Sequence, residues 1–365
     1  MDSISAVAEN LSDGFSIHHA ELPSKGEDRT VILPFQQGTI IAIFDGHCGS
    51  QLSDYSAETL PLLLSERLRD GVDVAAVMRD TMEEFDASLL EPVLALFDKD
   101  EDWSNEVWLE TEKEVCPRIG SSSKDERYQA GLRATIGSTV LLAFLDQHRR
   151  NLWVASLGDC DAVCGRRNAD GKRAPIFLND RHNCENADEV ERILRNHPNE
   201  NYAIQDGALL GTLRVTRALG DHQLKAPLHL ATRILPHFTP ARLEAEEISG
   251  FSNWTPPYML STPTVRHHEV LPGDIFLLAS DGLRDILLGV PDARKFDVLL
   301  ALASGEHEHV TAALGHQCIP AADGDNIAKR VIENALFGAD HRKKARELRK
   351  TAQRDDISLV VVEIK

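Results

Sequence analysis

Residues Ile40–Gly49 read IIAIFDGHCG. Five apolar residues, Ile40 to Phe44, run without a break into Asp45, Gly46 and His47. A continuous apolar run of that length, rich in β-branched side chains, predicts a buried strand. Gly46 is expected to end it, because glycine lets the chain turn sharply and lets a ligand approach the backbone. Asp45 therefore stands at the mouth of the core, with a histidine two residues on. A carboxylate in that position is either a turn-former or a metal ligand.

The pattern recurs. Trp153–Asp159 (WVASLGD) is another mostly apolar run that stops at Gly158 and Asp159, and Ile275–Gly282 (IFLLASDG) repeats it with Asp281. Near the end of the sequence the order reverses, with Asp355 and Asp356 preceding the strand-like run Ile357–Ile364. Strands that end or begin in aspartate across the whole sequence can bring carboxylates together at one edge of a layered core. Crowded without partners, such groups repel one another and take up protons. Hard divalent cations such as magnesium or manganese remove that cost, and they prefer oxygen ligands.

The 365 residues are enough for a substantial core, and a net charge of −19 argues against nucleic acid as the main partner. Six cysteines show no Cys-x-x-Cys pair and are read as reduced thiols, with Cys160 and Cys164 as buried thiols rather than a metal pair. No apolar run approaches the ~20 residues needed to cross a bilayer. The opening MDSISAVAENLSDGF has neither the basic start of a secretory signal nor the arginines of a mitochondrial transit peptide. A cytoplasmic location is expected, with the nucleus as the alternative and mitochondria disfavoured.

Residues 1–26 are polar and weakly patterned, with one early strand around Phe15–His19. Thr30–Leu33 and Ile40–Phe44 read as a strand pair, and residues 51–69 and 72–97 carry helical spacing. Residues 98–130 are acidic and read as a surface excursion. Thr135–Phe144 and Leu152–Ser156 are β-rich, and Glu185–Asn196 predicts a short amphipathic helix stopped by Pro198. Residues 198–262, rich in proline and short polar pieces, predict a loop-rich excursion that could serve as a flap over the site. Val265–Ala279 returns to strands, helices are expected within 285–318 and at 326–337, and basic His341–Arg354 reads as a solvated helical face. No linker separates the acidic clusters, so one domain over 1–365 is expected, its core spanning about 14–364.

The order of the fragments carries a resemblance. GEDR (Gly26–Arg29), DGHCG (Asp45–Gly49), GSTV (Gly137–Val140), VASLGD (Val154–Asp159), RVTRALGD (Arg214–Asp221), ASDGLRD (Ala279–Asp285) and RDDISLVVV (Arg354–Val362) follow one another. Together they resemble the metal-dependent type 2C serine/threonine protein phosphatases, the PPM family. Asn179–Pro198, the GALLGTLRVTRALGD run, Pro256–Tyr258 and the RDD ending are most similar to its pyruvate dehydrogenase phosphatase-like branch.

The resemblance implies an α+β, four-layer αββα sandwich: two mostly antiparallel sheets flanked by helices, with a two-metal site at one end. It implies an enzyme that hydrolyses phosphoserine and phosphothreonine in protein substrates through a metal-bridged hydroxide, with two Mg²⁺ or Mn²⁺ ions and room for a third; separately, a monomer is expected. No nucleic-acid or membrane partner is expected. Asp45 would bridge the metals, the Gly46 carbonyl would bind one, and Asp281 and Asp355 would complete the other. Glu27 and Asp28 would hold metal-bound waters, Asp159 and Asp285 would mark the third position, and His47 would be the general acid. Asp355 rather than Asp356 is chosen because it aligns with the aspartate of the family's usual Asp-Asn pair.

Two departures stand out. Many members of the family, though not the pyruvate dehydrogenase phosphatase-like ones, carry a phosphate-gripping arginine ahead of the Glu-Asp pair, whereas ELPSKGED has only Lys25, so the phosphate-binding group is left unassigned. Cys160 and Asp161 replace the usual serine and arginine. Plainer roles compete at several positions: a turn residue at Asp159, a hydrogen-bonding residue at His47, a helix cap at Asp285, and a structural rather than phosphate-binding Arg217. The rival functions are a phosphatase-like binding protein with little turnover and a phosphoesterase acting on a small metabolite.

Overall fold

The computed structural model describes residues 4–12, 15–97, 118–120, 124–238, 243, 245–251, 253–307, 310–347 and 354–365. Most of the predicted excursion at 98–130 lies outside them, as do residues 348–353 of the basic stretch.

Fourteen strands are present among the described residues: β1 Ser5–Ser12, β2 Phe15–Leu22, β3 Arg29–Phe35, β4 Gly38–His47, β5 Gly137–Asp146, β6 Asn151–Leu157, β7 Asp161–Arg167, β8 Arg173–Phe177, β9 Ile204–Gln205, β10 Ala208–Leu209, β11 Leu219–Gly220, β12 Thr264–Glu269, β13 Ile275–Ala279 and β14 Ile357–Ile364. One sheet has the order β1-β2-β14-β13-β7-β8 and the other β12-β6-β5-β4-β3, with β11 added on β5 and β9–β10 forming a separate small hairpin. The ladders within both sheets are antiparallel.

The unbroken apolar runs follow from burial on both faces. Along β4, Ile40, Ala42 and Phe44 pack toward the helices α1 (Gln51–Arg67) and α2 (Val74–Leu94), while Ile41 and Ile43 face the other sheet. In the first sheet, Ile275, Leu277, Leu359 and Val361 turn toward α6 (Asp292–Ala303) and α7 (Ile327–Leu336). Phe276, Leu278, Val360 and Val362 fill the space between the sheets. Helix, sheet, sheet and helix therefore enclose three apolar layers, the αββα arrangement expected from the resemblance.

Four differences from the sequence reading have local causes. β4 does not stop at Gly46, because Gly46 and His47 still pair with Ser138 and Gly137. β1 was hidden in a polar segment; it is an edge strand whose Ser5–Ala8 side chains are exposed, so pairing with β2 rather than burial fixes it. The helix α3 (Glu126–Thr135) begins inside the acidic excursion, capped by Asp125, whose carboxylate accepts the Arg127 N–H at 3.0 Å. Residues 198–262 are loop-rich but carry their own apolar cluster, in which Leu224, Tyr258 and Met259 are fully buried. The helix α4 (Ala187–Asn196) contributes Ile193 to it.

Candidate active site

Antiparallel register decides where the aspartates fall. The end of β13 lies beside the starts of β7 and β14, because Ala279 pairs with Asp161 and Leu359. In the other sheet the end of β4 lies beside the starts of β3 and β5, through Phe44–Arg29 and His47–Gly137, and beside the end of β6 through β5. The crossings from β2 to β3 and from β6 to β7 join the two sheets at this same end. Asp28, Asp45, Asp159, Asp281 and Asp355 all sit on these few strand ends.

The electrostatics show that they share one space. Burial pushes the Asp45 carboxyl well above the ordinary aspartate range, and the charges of Asp28, Asp281, Asp159 and Asp355 push it further. Burial raises Asp281 to about 7, reinforced by Asp159, Asp355 and Asp285. Asp28 is raised to about 8 by burial and by Asp356 and Asp281, against the pull of the Ser280 and Ser358 hydroxyls. Asp159 is raised by burial too, although Asn183 donates to its Oδ2 at 3.3 Å. Asp28 Oδ2 is buried and makes no hydrogen bond.

The cations around this ring are already engaged. Lys25 Nζ lies 3.0 Å from Asp355. Asp161 takes Arg181 at 2.7 Å and Arg284 at 2.9 Å, which gives the unusual aspartate at 161 a structural role. Crowded carboxylates, an orphaned buried oxygen and an all-oxygen donor set fit a hard divalent cation. Cys164, His268 and Asp274 also lie within reach of a single ion. There, however, the Arg166 guanidinium lies on Asp274 at 2.9 and 2.6 Å and on His268 at 3.1 Å, so a cation already fills the place.

The adjacent Asp355 and Asp356 have different tasks. Asp355 faces the ring, where it acts on Asp45 and Asp281. Asp356 accepts the backbone N–H groups of Ser24, Lys25, Gly26, Glu27 and Asp28. Burial would raise its carboxyl, but those N–H groups hold it below the usual range. It fixes the loop that presents Glu27 and Asp28, a role the sequence did not disclose. Glu27 Oε1 accepts the Gly49 N–H at 2.6 Å, tying that loop to the one after Asp45. A side chain at Gly46 would meet the Glu27 carbonyl oxygen at 2.7 Å and Ser53 Oγ at 2.8 Å, so the close approach requires glycine.

His47 Nε2 lies 2.7 Å from Oδ2 of Asp221, which is fully buried. The pair exists because residue 137 is glycine: a Cβ there would lie 1.9 Å from His47 Nε2 and 2.1 Å from Asp221 Oδ2. The sequence pattern contained Asp221 within RVTRALGD without assigning it a task. Asp285 is the last residue of the short helix α5 (Asp281–Asp285), with a 64% exposed side chain, and does not cap it; Ser280 stands at the cap position. Arg217 is structural, as read from the sequence: its Nε and Nη2 lie on Glu189, and its Nη1 donates to the Thr262 carbonyl at 2.9 Å. Cys160 is buried under Asp45, its Sγ 3.9 Å from Asp45 Oδ2.

Residues 114–288 of the chain match the protein phosphatase 2C family. The chain is similar to the pyruvate dehydrogenase phosphatase-like branch of that family. It is 28% identical over 282 residues to the mitochondrial pyruvate dehydrogenase (acetyl-transferring) phosphatase 1 of Bos taurus, covering 67% of this chain and 51% of that protein. It is 37% identical over 155 residues to the human phosphatase 2 of the same name, covering 41% of this chain and 29% of that one. The chain thus spans about half the length, or less, of these relatives. Probable protein phosphatase 2C 42 of Arabidopsis thaliana is 26% identical over 92% of this chain and 74% of its own length. The crystal structure of a serine-threonine phosphatase 2C from Toxoplasma gondii has the same fold, with a TM-score of 0.56 and 17% identity over 100% of this chain and 99% of that one.

Proposed function

We propose that this chain hydrolyses phosphoserine and phosphothreonine in proteins, with Mg²⁺ or Mn²⁺ as cofactor. The observation that carries the reading is the convergence of Asp28, Asp45, Asp159, Asp281 and Asp355, from distant parts of the sequence, on one buried and mutually repelling ring. Asp45, the Gly46 carbonyl, Asp281 and Asp355 would hold two ions, Glu27 and Asp28 would hold their waters, and Asp159 with Asp285 would take a third. Two such ions, when bound, lower the pKa of a shared water and offset charge on the phosphoryl oxygens.

The chain's own residues supply the remainder. His47 lies two residues along β4 from Asp45, and Asp221 fixes the direction of its ring. In that position it gives a proton to the departing serine or threonine oxygen. Lys25, partly exposed at the rim and paired with Asp355, offers the substrate phosphate a point charge without the two-pronged grip of arginine. The names of the pyruvate dehydrogenase phosphatases make phosphorylated pyruvate dehydrogenase the first candidate substrate to test.

One assay tests the reading: hydrolysis of p-nitrophenyl phosphate and of a phosphothreonine peptide with Mn²⁺, then with EDTA. Turnover of both that EDTA abolishes is expected. Activity on neither would leave a binding protein, and activity confined to small esters would leave a metabolite phosphoesterase. The Gly137→Ala variant is expected to lose ~10²-fold in turnover of the peptide, the scale of a general acid's contribution, because its methyl group separates His47 from Asp221. Its Mn²⁺ affinity by titration calorimetry should change little. Unchanged peptide turnover would remove His47 from that role.

A further inference from the structure

We propose that Asp86, on the outer helix α2, is a positioning residue for the His47–Asp221 pair, acting through Lys225 and the turn Gly220–Asp221. This inference rests on the phosphatase reading above. The turn is unusual: Gly220 has φ +71° and Asp221 has φ 46°, a left-handed conformation costly for a residue with a side chain. Such a conformation persists only where its surroundings over-determine it.

Two sets of contacts do so. From the sheet side, β11 adds Leu219 and Gly220 to the start of β5, and the Asp221 N–H donates to the Ile136 carbonyl at 3.0 Å. From the helix side, Asp86 is 3% exposed and accepts the Gly220 N–H at 2.8 Å. Lys225 Nζ lies 2.9 Å from each Asp86 oxygen and donates to the Ala218 carbonyl at 2.8 Å, so the ammonium holds both flanks of the turn. His222 Nε2 lies 3.0 Å from the backbone oxygen of Asp86. Asp86 thus sits at a hub that grips residues 218, 220 and 225 around Asp221, and it touches neither His47 nor the carboxylate ring in any of these contacts.

The arrangement defines what its loss would do. A slackened turn lets the Asp221 carboxylate drift from His47, so proton delivery to the leaving oxygen weakens while the carboxylate ring stays intact. The discriminating readout is leaving-group dependence. A serine or threonine alkoxide needs a proton as it departs, whereas p-nitrophenolate leaves without one. A variant that merely destabilised the fold would lower both activities together.

The test uses the full chain with saturating Mn²⁺ and compares Asp86→Ala, Asp86→Asn and Lys225→Met with the native protein. The expected result is a tenfold or greater loss of kcat on the phosphothreonine peptide, with p-nitrophenyl phosphate turnover within about threefold. Asp86→Asn retains an acceptor for the Gly220 N–H and serves if Asp86→Ala does not fold. Asp221→Asn should reproduce the selective loss, and the Asp86→Asn/Asp221→Asn double variant should lose no more than Asp221→Asn alone. Equal losses on both substrates, unchanged peptide turnover, or losses that multiply in the double variant would overturn the assignment of Asp86. Absence of metal-dependent turnover in the native protein would instead overturn the phosphatase reading, and this inference with it.

Discussion

The Asp45→Asn protein is expected to have no measurable turnover and yet, in EDTA, to melt at a higher temperature than the native protein. Asp45 is pushed up by burial first and then by four neighbouring carboxylates, so its charged form is an uncompensated load in the cation-free fold. Asp281, raised to about 7, and Asp28, raised to about 8, share that load. An acid whose folded pKa exceeds its unfolded value of about 3.9 binds extra proton when folded, so the cation-free protein loses stability as pH climbs from about 4 toward 8. Asparagine at 45 removes one charge from the ring and should recover ~1–3 kcal/mol at pH 8, a few degrees in melting temperature. Mn²⁺ should stabilise the native protein, and by more at pH 8 than at pH 6.5, because fewer protons then have to be displaced. In the variant that gain should shrink. Thermal melts in EDTA and in Mn²⁺ at both pH values, beside a peptide assay, decide the matter. A variant that kept turnover, or that melted lower than the native protein in EDTA at pH 8, would refute it.

The largest loss of stability is expected from Glu189→Gln. Glu189, buried on α4, holds Arg217 through its Nε and Nη2, Arg192 at 2.8 Å and the Thr216 hydroxyl at 2.7 Å. Burial raises its carboxyl, but these donors together carry it far below the ordinary glutamate range. Removing the acid leaves two guanidinium groups in a low-dielectric place without a counter-charge, a change of ~3–5 kcal/mol. The stabilising contribution is complete above the unfolded pKa of about 4.3 and is lost as pH falls toward the depressed folded value. Urea midpoints of the native and variant proteins should therefore lie far apart at pH 7 and draw together below about pH 4. A midpoint unchanged at pH 7, or a gap that widens in acid, would show that the pair does not hold α4 to Thr216 and Arg217. Those residues lead into the Gly220–Asp221 turn, so peptide turnover should weaken with the fold.

What could be read from the sequence was whatever announced itself locally. Asp45, Asp159, Asp281 and Asp355 each sit at the end or start of an apolar run, and strand ends gather at sheet edges, so their convergence was legible. The double burial of β4, β5, β13 and β14 left the same mark, because neither face needs polar side chains. What remained hidden depended on partners distant in sequence. Asp356 looks interchangeable with Asp355 until its five N–H donors, more than 300 residues earlier, are seen. Asp221 and Asp86 are single polar residues in helical or loop contexts, and only packing joins them. β1 escaped because an exposed edge strand has no periodic apolar signature, and α3 because its acidic entry resembles a solvated loop.

The placement of β14 has a consequence for synthesis. It is inserted between β2 and β13, with Val361 beside His18. Until the ribosome has delivered it, both neighbours present bare hydrogen-bonding edges, and the ring lacks Asp355. The nascent chain is therefore adhesive and its carboxylate ring incomplete, the kind of intermediate that chaperones shield from aggregation. A cut just ahead of residue 355 would leave that central strand and the Asp355 carboxylate held in the finished molecule by non-covalent contacts alone.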